Sequence, residues 1–177
     1  MDIFSKGKPQ TLEDILAHRE ERARLLTEIM EEYSGTVLCY KLNIPGPIKN
    51  NEYLAEIFSE GRQAIYEVLQ KERTRIVCDG RIRSDAGDEW HLVVEDDPQE
   101  LKRRMCRIEE EHPYGRLFDI DVMSKQSGAV SRKDLGLPER GCLICSRRAV
   151  ECGRSREHSV QELQQKIHEI LVSRHSK

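Results

Sequence analysis

The sequence predicts an α+β domain in which helices pack on a mainly antiparallel or mixed sheet. Runs rich in β-branched and aromatic residues alternate with runs that carry apolar residues at helical spacing. From about residue 36 to 123 the order is β-α-β-β-α-β, with one helix before this core and one after it. The 177 residues contain no repeat and no flexible linker, so we expect a single domain over 1–177, with flexible ends at 1–10 and 173–177.

The first helix is predicted to begin after Thr11. Thr11 and Asp14 have the spacing of a capping box, in which a hydroxyl and a carboxylate bond the free amides of the first helical turn. Apolar residues then recur every three or four positions up to Tyr33, opposite a charged face. The run 36–44 is predicted to be a strand, which Pro45 ends because proline has no amide to donate.

Two further helices and a hairpin are predicted in the middle of the chain. Apolar residues at helical spacing over 53–69 mark the second helix, and those over 101–108 mark the third. Between them, the strand-like runs 75–78 and 90–95 are separated by the turn-forming segment 84–88, which predicts a β-hairpin.

The last elements complete the predicted core. The run 116–123 is expected to be a strand, 131–133 to lie on a returning strand, and 160–171 to form the C-terminal helix. The resulting order fits either a ferredoxin-like or a nucleotidyltransferase-like core, with the N- and C-terminal helices added to it.

Charge and composition exclude some functional classes. Lys and Arg number 29 and Asp and Glu number 32, which gives a net charge of -3 and no overall basic footprint for nucleic acid. The N-terminus lacks a secretory pattern, and no segment approaches the length of an apolar membrane span, so we expect a cytoplasmic protein with no membrane partner. The six cysteines are then expected to be reduced thiols or metal ligands.

Asp119 and Asp121 form the first candidate site. Alternation along the predicted strand places both carboxylates on one face, where like charges repel. A divalent cation between them would offset this repulsion, since Mg²⁺ is bound by one or two carboxylates together with substrate phosphates. An Asp-hydrophobic-Asp-hydrophobic strand is also the metal-binding element of nucleotidyltransferases. The alternative is a half-exposed strand whose aspartates are solvated.

Residues around this pair suit an anionic ligand. Gly115 permits close approach of the backbone to a ligand, Arg116 can hold a phosphate through two hydrogen bonds, and Arg132 adds positive charge. Lys49 is either part of a plain strand-to-helix loop or a phosphate ligand near the start of the next helix. His112 is either a favourable charge at a helix C-terminus or an acid/base or phosphate ligand, because histidine titrates near neutral pH.

A cysteine cluster near the C-terminus has two interpretations. Its residues are those of a tetrahedral zinc site: Cys142, Cys145, Cys152 and His158. If 142–153 is one helix, however, Cys142 and Cys152 lie roughly 15 Å apart along its axis and cannot bind one ion. The helical interpretation, which the spacing favours, makes the cysteines a stripe of buried structural thiols. Zinc requires instead a non-helical knuckle around Cys142 and Cys145.

The chain resembles a known family at these and other motifs: the apo-citrate lyase phosphoribosyl-dephospho-CoA transferases, also called holo-citrate lyase synthases. The matching segments, in family order, are Arg19–Arg22, Asn43–Lys49, His112–Val122, Ser131–Arg132, Leu137–Pro138 and Cys142–Cys145 with Cys152, Arg154 and His158. They extend over roughly residues 11–165, which makes the match far more specific than two aspartates alone. Gly141 and Gly153 depart from the pattern, since a larger basic or small apolar residue is expected there.

The resemblance implies an enzyme that attaches a prosthetic group to a carrier protein. Its donor would be 2'-(5-triphosphoribosyl)-3'-dephospho-CoA, its acceptor a serine of the citrate lyase acyl carrier (gamma) subunit, and its second product diphosphate. In this chemistry Asp119 and Asp121 would hold Mg²⁺. The triphosphate would be gripped by Arg116, Arg132 and Lys49.

The catalytic base and the substrate are less constrained by the sequence. Glu95, Asp96 and His112 are the candidate bases, provided that folding brings one of them near Asp121. Two other functions compete with the transferase. One is a non-catalytic zinc-stabilised module that binds another protein, and the other is the same chemistry on a different substrate, such as the carrier protein of malonate decarboxylase or a nucleoside triphosphate.

Overall fold

The computed structural model describes residues 3–175 and the side chains of residues 3–172. Of the ends predicted to be flexible, residues 1, 2, 176 and 177 lie outside the described range. Residues Ile3–Ser5 form a 3₁₀ turn. Ile3 is buried, and its carbonyl oxygen accepts a hydrogen bond from the Asn51 side-chain amide at 2.8 Å. The N-terminal segment therefore packs against the residue that begins the second helix.

Within residues 3–175 the chain forms five α-helices and five β-strands. In chain order these are α1 (Leu12–Glu32), β1 (Thr36–Leu42), α2 (Glu52–Lys71), β2 (Arg75–Ile82), β3 (Glu89–Glu95), α3 (Pro98–Glu111), β4 (Phe118–Ser124), β5 (Gly128–Ala129), α4 (Ala149–Ser155) and α5 (Val160–His175). The predicted capping box starts α1, with the Asp14 amide donating to Thr11 Oγ1 at 3.1 Å. Among these helices, none combines the length and the apolar composition that a membrane span requires.

The strands form one five-stranded sheet in the order β2-β3-β1-β4-β5. Every neighbouring pair is antiparallel. β3 lies between β1 and β2, the two strands that α2 connects, and this is the split β-α-β arrangement of ferredoxin-like folds. The predicted α+β class and the β-α-β-β-α-β order are confirmed, and the sheet is antiparallel throughout.

The returning strand differs from the prediction. It was expected to contain residues 131–133, but β5 is only Gly128–Ala129, and Lys133–Leu135 form a 3₁₀ turn. The carboxylate of Asp134 accepts hydrogen bonds from the Ser131 amide at 2.8 Å and from the Ser131 hydroxyl at 2.6 Å. A side chain therefore takes the amide that a sheet would use, which is why the strand ends early.

One face of the sheet carries the hydrophobic core. Tyr40 of β1 and Phe118 of β4 are fully buried there, and the ring of Tyr40 stacks on Phe58 of α2 with centroids 4.8 Å apart. Leu101 and Met105 of α3 belong to the same cluster of buried side chains. Helices α2 and α3 therefore cover the apolar face of the sheet.

The opposite face of the sheet carries charged side chains, because side chains alternate along each strand, and its row of Val37, Val93 and Met123 is apolar. Across β3, β1 and β4 the register forms two further rows, with Glu89, Lys41 and Asp119 in the first and His91, Cys39 and Asp121 in the second. Helix α1 contains no buried residue. It is tied to this face by Arg22, whose guanidinium lies 2.5 Å from the Glu89 carboxylate.

Two side chains of α3 close the outer edge of β4. The Lys102 ammonium donates to the carbonyl oxygen of Ile120 at 2.5 Å, and the Ile120 amide donates to the Glu109 carboxylate at 3.1 Å. Both Lys102 and Glu109 are buried, and a buried charge is tolerated only when it has such partners. The backbone of β4 is therefore satisfied where no strand pairs with it.

Replacing Gly61 by alanine is expected to destabilise the fold. A methyl group at this position in α2 would overlap the phenol oxygen of Tyr40 and lie 2.5 Å from its ring carbon Cζ. Overpacking a core costs about 1–3 kcal/mol, against a gain of roughly 1 kcal/mol for alanine over glycine in a helix. Because the overlap with Tyr40 is severe, the upper part of this cost applies, and we expect the free energy of unfolding, measured in urea, to fall by about 1–2 kcal/mol.

Gly153→Ala is the matched control, because its methyl group in α4 would meet no atom within 4 Å. Its stability should equal or exceed that of the wild type. An unchanged free energy of unfolding in Gly61→Ala would contradict the tight contact between α2 and Tyr40.

Candidate functional site

Asp119 and Asp121 lie on the polar face of β4, with Lys41 of β1 between them. The Lys41 ammonium donates to Oδ2 of Asp119 at 2.8 Å and to Oδ2 of Asp121 at 2.7 Å. Lys41 is 17% exposed, whereas the two carboxylates are 36% and 49% exposed. The expected repulsion between the carboxylates is therefore balanced by a residue of this chain that sequence reasoning missed. Oδ2 of each aspartate accepts these hydrogen bonds, and Oδ1 of each aspartate is not bonded to Lys41.

Lys41 and Asp119 each stabilise the charged form of the other. Burial alone would lower the pKa of Lys41, but the two neighbouring carboxylates hold that pKa above its ordinary value. Burial alone would raise the pKa of Asp119, but the charge and hydrogen bond of Lys41 hold it below its ordinary value. At neutral pH Lys41 is therefore protonated and Asp119 is ionised.

A second buried carboxylate, Glu89, lies beside Lys41 in the register of the sheet. Its Oε1 atom lies 2.5 Å from Arg22 Nη1 and 3.3 Å from His18 Nε2, and its Oε2 atom lies 3.4 Å from His91 Nε2. Burial would raise the pKa of Glu89, but the nearby His91 and the charge and hydrogen bond of Arg22 hold it below the ordinary value. Glu89 is therefore an ionised group that lies close to two histidines.

A cavity of about 120 Å³ opens between α1, the end of β1 and the loop before β3. Its charged and titratable lining residues are His18, Arg19, Arg22, Lys41, Lys49, Asp88, Glu89 and Asp119. The Lys49 ammonium donates to the carbonyl oxygen of Ile44 at 2.6 Å, and burial and the charge of Arg19 lower its pKa. In the described part of the chain, neither Arg19 nor Lys49 has a carboxylate partner. The cavity therefore holds positive charge that the protein does not neutralise.

Three arginines lie on the other side of the aspartates. Arg132 is held by Glu109 at 2.7 Å and by Glu110 at 2.5 Å. Arg140 lies 3.9 Å from Asp119 Oδ1 and donates to the carbonyl oxygen of Arg116 at 2.6 Å. Burial and the charges of Arg140 and Arg132 lower the pKa of Arg116. The predicted ligand Arg132 is thus already paired, whereas Arg116 is surrounded by positive charge.

Gly115 is required by packing rather than by a ligand. A side chain there would come within 2.5 Å of the carbonyl oxygens of Ile108 and Glu109 at the end of α3. The backbone of Gly115 therefore lies close to the end of α3, where we had expected it to lie close to a ligand.

His112 is not brought together with the aspartates. It ends α3, its ring lies 4.8 Å from the ring of Phe118, and its Nδ1 accepts a hydrogen bond from the Tyr114 amide at 3.1 Å. Phe118 is buried in the core, on the face of β4 opposite Asp119. His112 therefore lies against the core face of β4, so the condition set for its use as the base, closeness to Asp121, is not met.

Glu95 and Asp96 also lie away from the site. In the sheet register His91 is level with Asp121, and Glu95 lies four residues further along β3, or roughly 13 Å. Glu95 pairs with Arg75 at 2.7 Å, and Asp96 pairs with Arg104 at 2.5 Å. Neither candidate base faces Asp121.

The cysteine segment is not one helix, so the predicted stripe of thiols was wrong. Helix α4 begins only at Ala149, and the Cys142 amide donates to the carbonyl oxygen of Arg147 at 2.7 Å, which turns the chain back on itself. As a result, four possible metal ligands come together, one atom from each residue lying within 4.8 Å of the others. The four residues are Cys142, Cys145, Cys152 and His158. This is the knuckle that a metal site requires.

The chemistry of the cluster also suits a metal ion. The Sγ atom of Cys145 lies 3.4 Å from that of Cys152 and 3.4 Å from Nε2 of His158. Hydrogen bonds from the Arg147 amide and from His158 lower the pKa of Cys145 to about 6. Thiolates are the form of cysteine that binds metals, and three cysteines with one histidine form a common tetrahedral zinc site.

The cavities around the aspartates adjoin one another. Asp119 lines both the cavity beside Lys49 and a second one that contains Arg132 and Arg140. Arg140 also lines a larger third cavity next to the cysteine cluster. The site is therefore a cleft that runs past Asp119, with positive charge on both sides.

The chain is similar to a known protein family over nearly its whole length. A family model described as apo-citrate lyase phosphoribosyl-dephospho-CoA transferase matches residues 10–174. A protein of Streptococcus pyogenes serotype M18 is 39% identical over 176 residues, which cover 97% of this chain and 91% of the relative. A protein of Vibrio cholerae serotype O1 (strain M66-2) is 37% identical over 161 residues, which cover 90% of each chain. Both are named probable apo-citrate lyase phosphoribosyl-dephospho-CoA transferase.

The matched range includes α1, the aspartate pair and the whole cysteine cluster, so the similarity extends over every part of the cleft. The chain belongs to the apo-citrate lyase phosphoribosyl-dephospho-CoA transferase family.

Proposed function

We propose that the chain transfers the phosphoribosyl-dephospho-CoA group to a serine of the acyl carrier (gamma) subunit of apo-citrate lyase and releases diphosphate. The family and the names of its relatives support the transferred group and the acceptor protein. The observation that carries the proposal is the cleft at Asp119, where a carboxylate pair lies beside two cations, Arg19 and Lys49, that have no carboxylate partner within residues 3–172. An oligophosphate donor requires such cations.

In the proposed reaction the serine oxygen attacks the phosphorus nearest the ribose, and the bond from that phosphorus to the diphosphate breaks. The serine proton passes to a base, and the electron pair of the broken bond leaves with the diphosphate. Positioning and electrostatics dominate such transfers. Arg19 and Lys49 hold the triphosphate, because both line the cavity beside Asp119 and have no carboxylate partner among the described residues.

Mg²⁺ is the ion that we propose for Asp119 and Asp121. The hydrogen bonds from Lys41 leave Oδ1 of each carboxylate, and carboxylates together with substrate phosphates are the usual ligands of Mg²⁺. When bound, the ion would supply positive charge to the phosphate oxygens and the leaving diphosphate. Lys41 fixes the orientation of both carboxylates.

His18 is the general base in this proposal, and Glu89 orients it. His18 is 15% exposed, and it lines the same cavity as Asp119. Glu89 lies 3.3 Å from Nε2 of His18 and is itself held by Arg22. A histidine oriented by a carboxylate is the arrangement that removes the proton from hydroxyl nucleophiles in many enzymes.

Zinc in the cysteine cluster has a structural role in this proposal. Four protein ligands complete a tetrahedral site and leave no open position for a substrate. The ion would join the 142–145 knuckle to α4 and to the start of α5, a region with few buried residues of its own.

Asp119→Asn and Asp121→Asn are each expected to lower the transfer rate by about 100-fold or more, because loss of one preorganised electrostatic group costs about 10²–10³ in rate. The measurement is the mass added to the apo-carrier subunit on incubation with the donor and Mg²⁺. Asp97→Asn is the matched control, since Asp97 caps α3 and asparagine caps helices equally well.

No added mass with the wild-type protein would contradict the proposed function itself. Full activity in both aspartate variants would contradict only the role given to the carboxylates and Mg²⁺.

His18→Gln is expected to lower kcat by about 10²–10⁴-fold with little change in the KM for the donor. Glutamine can still donate a hydrogen bond to Glu89, but it cannot accept the serine proton. A raised KM with unchanged kcat would make His18 a phosphate ligand instead.

The purified protein is expected to bind one zinc ion per chain, measured by inductively coupled plasma mass spectrometry. Cys145→Ser and His158→Ala should bind zinc at least about 10-fold more weakly, because each removes one of four ligands. Cys78→Ser is the control, since Cys78 lies in β2 outside the cluster. Equal zinc binding by Cys145→Ser and the wild type would contradict the site.

A further inference from the structure

A cavity of about 520 Å³ lies beside the cysteine cluster, and the proposed reaction leaves it without a role. It is bounded by the loop at Pro45, the turn at Arg116, the knuckle at Cys142 and the start of α5. Its volume lies within the range of pockets that bind small molecules and cofactors, roughly 300–1,000 Å³.

The wall of this cavity combines apolar side chains with guanidinium groups. Its larger apolar lining residues are Pro45, Leu117, Leu143, Val160 and Leu163. Arg116, Arg140 and Arg156 line it as well. Such a wall suits a ligand that is partly apolar and partly anionic.

The positive charge of this wall is poorly compensated. Arg116 donates to the carbonyl oxygens of Gly141 at 2.8 Å and Cys142 at 3.2 Å, and it has no carboxylate partner among residues 3–172. Arg156 is exposed and likewise lacks one over that range. Burial, together with the charges of Arg140 and Arg132, lowers the pKa of Arg116. An anion in the cavity would relieve this repulsion.

The cavity also adjoins the reaction site. It shares Arg140 with the cavity that contains Asp119 and Asp121, and it shares Asn43 with the cavity that contains Lys49. A long ligand can therefore extend from one cavity to another. The donor of the proposed function is such a ligand, because it carries a triphosphate on its ribose and a separate diphosphate between its adenosine and its pantetheine arm.

We infer that this cavity binds the dephospho-CoA portion of the donor. The diphosphate lies against Arg116, Arg140 and Arg156, and the pantetheine arm and the adenine lie along the apolar wall formed by Leu143, Val160 and Leu163. The triphosphate then reaches Lys49 and Arg19 on the far side of Asp119. This inference rests on the proposed function, and it gives the cysteine cluster a purpose, because Cys142, Cys152 and His158 form part of the cavity wall.

The test is the affinity of the full-length protein for dephospho-CoA alone, measured by isothermal titration calorimetry. We expect Arg156→Gln to weaken binding by about 10-fold or more, since it removes a charge-assisted hydrogen bond to the diphosphate. Arg154→Gln, two positions earlier and outside the cavity lining, should bind like the wild type. Arg19→Gln should also leave the affinity for dephospho-CoA unchanged, because Arg19 lines the other cavity.

The inference would be overturned by no binding of dephospho-CoA, by equal affinity in Arg156→Gln and the wild type, or by full competition by inorganic phosphate at equal concentration. Loss of carrier binding without loss of dephospho-CoA binding in Arg156→Gln would also overturn it. The mass assay on the carrier tests the proposed function separately. Transfer by the wild type with an unchanged donor KM in Arg156→Gln would leave that function standing and remove this inference alone.

Discussion

The contact of Lys41 with Asp119 and Asp121 is the interaction on which the rest of the site depends. It allows two carboxylates to lie a strand repeat apart on one face of the sheet, where they would otherwise repel each other. It also continues to Glu89 in the adjacent strand, so that the charges alternate across β3, β1 and β4. Glu89, Lys41 and Asp119 of this row line one cavity, and His18, Arg19 and Lys49, which we assign to the reaction, line the same cavity.

One face of the sheet stabilises the fold, and the other face carries the candidate functional site. The face covered by α2 and α3 is apolar and closely packed around Tyr40, and it fixes the strands in register. The other face is covered only in part, because Cys39, Glu89 and His91 are at most 2% exposed there, whereas Asp119 and Asp121 are 36% and 49% exposed. Because the covering is incomplete, polar side chains there remain open to ligands, and residues from α1, β1 and β4 meet in one cleft.

Local patterns predicted the four longer strands, the helices α1, α2, α3 and α5, and the shared face of the aspartate pair, because helical spacing and strand alternation are properties of short segments. They did not identify Lys41, since its role depends on a strand pairing that joins it to Asp121, 80 residues away. The spacing of the cysteines was compatible with a helix as well as with a metal-binding knuckle. The helix is ruled out by the hydrogen bond from the Cys142 amide to the carbonyl oxygen of Arg147. The spacing of residues in the sequence cannot reveal such a bond.

The closed edge of β4 limits how an acceptor can approach. Partner chains often bind by adding a strand to an exposed sheet edge. Here the amide and the carbonyl of Ile120, which an added strand would need, are already bonded to Glu109 and Lys102. In the proposed reaction the carrier serine would therefore reach Asp119 from above the polar face, because the backbone of β4 at Ile120 is not free to pair with an added strand.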